Sequence, residues 1–166
     1  MAKFIISSPA RLHLGFINLN FNKNRDFGSL GLTIDGFNTI IELEESKKFE
    51  IIGKNVSRAS RILELFTKIC DLRPAKLNIK NCIPEHVGLG SGTQLALSIA
   101  TILFHFSNKE PDIEYFAKLS NRGQRSSIGI NCFKSGGFLV DAGRRRHSDM
   151  LSPIIFHETW PKSWLI

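Results

Sequence analysis

The sequence has no apolar run long enough to cross a membrane and no signal-peptide pattern at its start, so we expect neither a membrane partner nor export. It contains only three cysteines, Cys70, Cys82 and Cys132, which are widely spaced and form no Cys-x-x-Cys pair. An odd, scattered set argues against a disulfide framework and predicts reduced, core-facing thiols in a cytoplasmic protein. Internal repeats, low-complexity tracts and linkers are also absent, which excludes repeat arrays and disordered chains.

The composition is that of one globular domain. The 166 residues are 42% hydrophobic and 22% charged, which is enough apolar material for a single core. The net charge of +7 suits an anionic partner. The basic run at residues 144–146 has no aromatic interleaving, so we expect a solvated turn there and a phosphorylated small molecule, rather than nucleic acid, as the partner.

Residues 84–93, with the sequence PEHVGLGSGT, combine three glycines with two small hydroxyl residues. Apolar residues at helical spacing follow, which predicts a glycine-rich loop leading into a buried helix. The first N–H groups of a helix have no intrahelical acceptor and lie at the positive end of its dipole, so they favour phosphate. The hydroxyls of Ser91 and Thr93 can cap the helix, contact a phosphate oxygen or meet a magnesium ion.

The loop matches neither of two familiar glycine patterns. It lacks the lysine of Gly-x-x-x-x-Gly-Lys-Ser/Thr, and its glycines do not follow Gly-x-Gly-x-x-Gly. From glycine content alone, phosphate binding and a simple turn with a helix cap are equally good interpretations. Two further polar segments favour the ligand site.

These two segments contain Arg11 with His13 and Arg122 with Arg125, and Ser29 lies in a third place. Arg11 and His13 lie two apart in an extended segment and therefore share one face, where they point either into a site or, on an edge strand, into solvent. Arg122 and Arg125 lie close together in a glycine-containing loop, which favours a second anion site over a solvated loop. Ser29 lies between two glycines, where its hydroxyl could reach a substrate.

The remaining periodicities predict a mixture of strands and helices. The predicted strands are residues 3–7 with their continuation 8–16, a hairpin of 39–44 and 48–52, then 76–80 and 138–140. The predicted helices are 57–70 with Ser57 as N-cap, the helix after the glycine-rich loop, and a short one from Pro111 through Leu119. Residues 22–26 are predicted to form a polar turn and residues 121–130 a loop.

Three motifs in order carry a resemblance to a known family. They are SPARLHLG at residues 8–15, PEHVGLGSGTQLA at 84–96, and the segment 122–137. Together they resemble the GHMP superfamily of small-molecule kinases, whose phosphate loop reads Pro-x-x-x-Gly-Leu-Gly-Ser-Ser; Gly92 stands where the second Ser usually is. The resemblance implies an α+β GHMP N-terminal domain, similar to ribosomal protein S5 domain 2, with a mixed sheet packed against helices. It implies a single such domain over residues 1–166, lacking the family's C-terminal domain.

Within that superfamily, the likeness is to the β-ribofuranosylaminobenzene 5′-phosphate synthases of methanopterin biosynthesis. It rests on RLHLGF at residues 11–16, FGSLGL at 27–32, RGQRSSIG at 122–129 and GGFLVD at 136–141. Such enzymes join phosphoribosyl pyrophosphate to a 4-substituted benzoate with loss of CO2 and pyrophosphate. Two alternatives stay open: an ATP-dependent GHMP small-molecule kinase that uses another carboxylate, such as Asp141 or Asp26, and a non-catalytic nucleotide-binding remnant.

The resemblance also implies residue roles. It implies phosphate or nucleotide binding by Gly88, Leu89, Gly90, Ser91, Gly92, Thr93, Arg122 and Ser126, with Mg²⁺ at Ser91, catalytic roles for His13, Arg11 and Arg125, and substrate binding by Ser29. Many GHMP kinases carry a possible base, an aspartate, at the position of Gly129. A glycine cannot accept a proton, which argues against ordinary phosphoryl transfer. Three explanations of the missing C-terminal half stay open: the sequence is a fragment, it is a shortened gene product, or a homodimer or another partner chain supplies that half.

Overall fold

The computed structural model describes residues 3–17, 25–145 and 150–161. The elements, in chain order, are β1 (Phe4–Phe16), β2 (Arg25–Asp26), β3 (Ser29–Glu45), β4 (Glu50–Gly53), α1 (Val56–Ile69), β5 (Ala75–Asn81), α2 (Ser91–Phe106), α3 (Ile113–Leu119), α4 (Ile128–Ser135), β6 (Phe138–Asp141), β7 (Arg144–Arg145) and β8 (Ile154–Glu158). Residues 22–24 of the predicted turn and Arg146 of the basic run lie outside the described residues. Within the described ranges, no helix is long and apolar enough to span a bilayer.

The long strand β3 organises the main sheet. Strand β1 pairs antiparallel with β3 along most of its length. On the other side of β3, β5 pairs with its C-terminal half and β6 with its N-terminal end, both antiparallel. Strand β4 adds to β5 in parallel, and β8 adds to β6 antiparallel. The sheet is therefore mixed, as predicted.

The helices cover one face of this sheet, and α2 lies at the centre of the helical layer. Helix α2 contacts α1, α3 and α4 as well as β1 and β3. Its apolar residues share one core cluster with the inward-facing side chains of β3 and β5, such as Ile41, Leu43, Leu77 and Ile79. Burying a side chain of this size stabilises the fold by about 1.5–3 kcal/mol. The opposite face of the sheet carries ion pairs such as Lys3–Glu42 at 3.0 Å.

The predicted hairpin of residues 39–44 and 48–52 is wrong in its pairing. Both segments are strands, but β5 lies between them and pairs with each. The cause is the helix that follows β4: α1 packs on the sheet and returns the chain as a parallel neighbour, which is the usual consequence of a strand–helix–strand unit. Asn55, with a left-handed backbone, is the N-cap of α1, so the N-cap prediction for Ser57 is also wrong.

Two other segments differ from expectation. Residues 121–130 were expected to be a loop, but α4 begins at Ile128 and places its N-terminus beside α2. The basic run is not simply a solvated turn, because Arg144 and Arg145 form an antiparallel ladder with Asp26 and Arg25. In both cases the ordered structure depends on partners distant in sequence, which local composition does not reveal.

Candidate phosphate site at the start of α2

The glycine-rich loop, here residues 84–90, carries the chain from β5 into α2. His86, Gly88 and Gly90 have φ values of 61°, 80° and 83°, and Gly90 is the N-cap. The Gly90 carbonyl accepts hydrogen bonds from the N–H groups of Thr93 and Gln94 at 3.0 and 3.1 Å. Glycine suits two of these left-handed positions because it has no Cβ to oppose the conformation. The loop therefore coils tightly just before the helix, as the sequence predicts.

Arg11 of β1 anchors this loop. The register between β1 and β3 shifts between Pro9 and Ala10, and Arg11 follows that bulge directly. The backbone N–H of Arg11 donates to Leu89 O at 3.1 Å, and its guanidinium donates to Gly88 O. The guanidinium also lies against Gly90, where an added Cβ would be 3.3 Å from Arg11 Cγ. Arg11 thus lies at the loop, where it positions the backbone; its predicted catalytic role stays a prediction.

Two more arginines meet at Gly92, in the first turn of α2. A Cβ on Gly92 would clash with Arg58 Nη2 and would lie 3.1 Å from Arg122 Nη1. Arg122 was expected here. Arg58, near the start of α1, was not, because its position in an amphipathic helix looks like that of any solvated residue. Its only sequence signal is indirect: a glycine at 92, where the resemblance expects a serine, leaves space for a side chain from another element.

The electrostatics of these three guanidiniums favour an anion. Burial lowers the pKa of Arg11, and burial together with the nearby charge of Arg58 lowers the pKa of Arg122. Guanidinium has so high an intrinsic pKa that Arg11 and Arg122 stay charged at neutral pH despite these shifts. In the described part of the chain the one carboxylate bound to them is that of Glu85, 2.8 Å from Arg58 Nη1. The start of α2 therefore has an excess of positive charge.

A second polar cluster forms around the buried carboxylate of Asp141. It accepts hydrogen bonds from the Ser29 N–H and hydroxyl at 3.2 and 2.9 Å, the Ser126 hydroxyl at 3.1 Å, the Ser127 N–H at 3.0 Å and the Gly143 N–H at 3.0 Å. The hydroxyls of Ser29 and Ser126 are 2.6 Å apart. A carboxylate held by so many donors is poorly placed to accept a proton from a substrate, so Asp141 is better described as the group that fixes both serines.

His13, on β1, is close enough to the Arg11 guanidinium and the Asp141 carboxylate for both charges to affect its pKa. Burial and the charge of Arg11 lower its pKa, partly offset by the carboxylate of Asp141. Its ring packs against Phe16 with centroids 4.7 Å apart, and its Nε2 is buried without a hydrogen-bond partner in the described structure. The imidazole is therefore neutral at neutral pH and keeps one ring nitrogen for a ligand or a proton.

The structure does not bring every predicted residue to the loop. Arg125 is exposed, and within the described ranges no hydrogen bond or ion pair links it to the glycine-rich loop. Gly129 does lie at the site: an added Cβ would be 3.5 Å from Thr93 Cγ2, and its carbonyl accepts a 2.9 Å hydrogen bond from Gln94 Nε2. The position that the resemblance gives to a kinase aspartate thus faces α2 but carries no carboxylate.

The donor set does not fit a resident magnesium ion. Magnesium prefers carboxylate and phosphate oxygens. Among the described residues there is no cluster of three or more histidine, cysteine, aspartate or glutamate side chains suited to a metal, and Glu85 is already paired with Arg58. Ser91 as a metal ligand stays a prediction.

A cleft of about 550 Å³ opens beside Arg122. Its walls come from α3, from Gly123 and Gln124, and from residues 150–154, and they include Tyr115 and Lys118. Residues 88–93 do not line this cleft, so of the three arginines at the start of α2 (Arg11, Arg58 and Arg122) only Arg122 belongs to both places.

Comparison with known proteins identifies the family of the chain. The family model described as GHMP kinases N terminal domain matches residues 55–138. The β-ribofuranosylphenol 5′-phosphate synthase of Methanocaldococcus jannaschii is 36% identical over 153 residues, covering 84% of this chain and 47% of that protein. The enzyme of the same name from Methanothermobacter thermautotrophicus is 30% identical over 186 aligned residues, covering 99% of this chain and 56% of that protein. The chain thus spans about half the length of the curated relatives it matches.

Among solved structures, the phosphomevalonate kinase of Streptococcus pneumoniae superposes with a TM-score of 0.66 at 17% identity, covering 88% of this chain and 50% of that chain. At this identity the match shows the shared fold. The family match spans just over half of the chain and includes the glycine-rich loop and all of α2. The chain therefore belongs to the GHMP kinase N-terminal domain family, with the α+β fold that its motifs predict.

Proposed function

We propose that this chain is the phosphate-binding half of a β-ribofuranosylphenol 5′-phosphate synthase, which joins phosphoribosyl pyrophosphate to a 4-substituted benzoate. One observation carries the proposal: three guanidiniums, of Arg11, Arg58 and Arg122, surround the start of α2, and among the described residues a single carboxylate is bound to them. The names of the two curated relatives support this reaction. Because those names contain phenol, we choose 4-hydroxybenzoate over 4-aminobenzoate as the aromatic acid.

The proposed reaction depends more on stabilising the charge of the leaving pyrophosphate than on proton transfer. The bond from ribose C1 to the pyrophosphate oxygen breaks, and its electron pair leaves with pyrophosphate. The ring carbon that bears the carboxylate forms a bond to ribose C1. The bond to the carboxylate then breaks, CO2 leaves, and that electron pair restores the aromatic ring. No proton is gained or lost overall, so the absence of a base at Gly129 does not impede it, whereas a site for the leaving pyrophosphate accelerates it.

We assign the residues accordingly. The N–H groups and hydroxyls of residues 88–93, with Arg122, hold the pyrophosphate, and Arg11 keeps the loop in place. Ser126, fixed by Asp141, faces the ribosyl phosphate, whereas Ser29 is fully buried and supports Ser126 and Asp141 from behind. His13, neutral because its pKa is lowered, accepts the phenolic proton of the aromatic acid and so makes the ring more nucleophilic, and it returns that proton to the phenolate oxygen once CO2 has left. Any magnesium ion would arrive with the diphosphate rather than occupy a protein site beforehand.

The kinase alternative finds less support in the site. Gly129 has no carboxylate, and Asp141, one of the two carboxylates considered for the kinase alternative with Asp26, is already surrounded by backbone and serine donors. A kinase needs a group that orients or deprotonates its acceptor hydroxyl. The chain covers half of its relatives' length, so we propose that a second half, from the same or another chain, closes over the aromatic acid.

The test measures what becomes of the carboxylate of the aromatic acid. Carboxyl-labelled 4-hydroxybenzoate is incubated with the protein and phosphoribosyl pyrophosphate, and labelled CO2 and pyrophosphate are measured together. Equimolar release that requires both substrates supports the proposal, and 4-aminobenzoate in parallel defines the aromatic preference. ATP consumption with an alcohol acceptor and without pyrophosphate release overturns it. Calorimetric binding of inorganic pyrophosphate tests the phosphate-binding part of the site by itself. The affinity for pyrophosphate should fall in Arg122→Ala.

A further inference from the structure

Gly92 makes room for a side chain that comes from another element. Its backbone is not among the left-handed glycines, so an L-residue could adopt its conformation as α2 begins. Space is what requires glycine here, since an added Cβ would clash with Arg58 Nη2 and approach Arg122 Nη1. Two guanidiniums therefore contact the helix where one small side chain would otherwise stand.

This arrangement is electrostatically incomplete. Arg58 Nη2 and Arg122 Nη1 both lie within 3.1 Å of the position that a Cβ on Gly92 would take, so the two guanidiniums are close enough to repel. Burial, and then the charge of Arg58, lowers the pKa of Arg122. Glu85 compensates only Arg58, and the Arg58 and Glu85 side chains are only 26% and 34% exposed. Within the described ranges, two partly desolvated positive charges therefore share one carboxylate, and the excess charge is unfavourable unless an anion joins them.

We propose that Arg58 and Arg122 together clamp the terminal phosphate of a diphosphate, a phosphate with three unesterified oxygens, while the N–H groups at the start of α2 bind the other phosphate. The planar guanidinium fork matches two phosphate oxygens at once, and two forks together match a terminal phosphate, with its three unesterified oxygens, better than an internal one. Arg58 is thus a specificity-determining residue that favours diphosphates over monophosphates. The inference deepens the proposed function and rests on it, since both concern the same ligand.

The experiment is a double-mutant cycle on inorganic pyrophosphate affinity, measured by titration calorimetry with wild type, Arg58→Ala, Gly92→Ala and the double variant. We expect Arg58→Ala to weaken pyrophosphate binding at least tenfold and orthophosphate binding much less. Gly92→Ala should cause a similar loss because the new Cβ displaces Arg58. The double variant should then be no weaker than Arg58→Ala alone, because the displaced side chain is already absent.

Controls separate this effect from general charge and folding effects. Arg61, which lies on the same helix and bonds Ser57 O at 3.3 Å, gives the matched variant Arg61→Ala, which should retain wild-type affinity. Gly92→Ala should not lower the thermal unfolding midpoint, since alanine favours a helix over glycine.

The outcomes are distinguishable. If wild type binds pyrophosphate and Arg58→Ala or Gly92→Ala binds it equally well, the clamp is wrong and the proposed function stands. Independent, multiplicative losses in the double variant also overturn the clamp, because Gly92 would then not be making room for Arg58. If wild type binds no pyrophosphate, the proposed function fails first, and the clamp fails with it.

Discussion

The carboxylate of Asp141, at the end of β6, accepts a 2.9 Å hydrogen bond from the hydroxyl of Ser29, at the start of β3. This bond and the bonds from Ser126 and Ser127 connect the two sheet strands with the segment that leads into α4. One buried charge therefore holds together the places where three chain segments meet. We therefore expect the loss of this carboxylate to lower the stability of the fold.

We expect Asp141→Asn to lower the free energy of unfolding by about 3 kcal/mol, because an amide loses the charge-assisted bonds and turns a donor towards donors. Urea unfolding followed by circular dichroism measures the change. The exposed residue Asp35 provides the control, and Asp35→Asn should shift stability by less than about 0.5 kcal/mol. Equal losses of stability in the two variants would contradict the conclusion that Asp141 holds the three chain segments together.

Arg11 should prove to be a positioning residue for the loop. In Arg11→Lys the backbone bond to Leu89 persists and the charge remains, but a lysine cannot reproduce the planar guanidinium contact at Gly88. We expect pyrophosphate affinity to fall about tenfold, equivalent to about 1.4 kcal/mol, and amide hydrogen exchange over residues 88–90 to accelerate. Arg61→Lys is the matched control. If both variants exchange and bind like wild type, Arg11 does not hold the loop.

His13 should make stability depend on pH. Its pKa is lowered in the folded protein, mainly by burial and then by the charge of Arg11, so the unfolded chain binds the proton first as pH falls. Stability from this group is therefore complete above the unfolded pKa of about 6.5 and declines as pH falls from there towards the folded value. Unfolding free energies of wild type and His13→Gln, measured from pH 8 to 5, should diverge in their slopes only below about pH 6.5. Parallel curves would contradict this assignment.

The loop and the central helix were predictable because their determinants are local. Glycines at positions 88 and 90, followed by apolar residues at helical spacing, specify a coil and a buried helix without reference to the rest of the chain. Pairing between strands is not local. The segments 39–44 and 48–52 look like a hairpin, yet β5 comes between them because α1 returns the chain beside β4.

The site shows the same limit at the level of side chains. Arg11 and Arg122 were identifiable because unusual patterns surround them, whereas Arg58 occupies an unremarked position of an amphipathic helix. Only the tertiary contact with Gly92 places Arg58 beside the residues of the proposed anion site. Asp141 likewise looked like a spare carboxylate, and only its hydrogen-bond partners show that its oxygens are already used.

Gly31 tests how tightly α4 is fitted to the sheet. It lies in β3 between His13 and Leu139, and an added Cβ would clash with Ile128 Cγ2 and lie 3.1 Å from Leu12 O. We expect Gly31→Ala to destabilise the fold by about 1–3 kcal/mol through overpacking. Urea unfolding of the single and double variants with Ile128→Ala measures the coupling, and the combined loss should be smaller than the sum of the two.

A second glycine supplies the control for Gly31. A Cβ on Gly129 would meet Thr93 Cγ2 at 3.5 Å, an ordinary contact, and Gly129 lies in the helix α4. Gly129→Ala should therefore leave stability unchanged or raise it by up to about 1 kcal/mol. Two results would contradict this account: Gly31→Ala leaves stability unchanged, or its loss of stability simply adds to that of Ile128→Ala. In either case the absence of a side chain at Gly31 would not be what lets α4 pack against β3. The position of its N-terminus next to α2 would then need another cause.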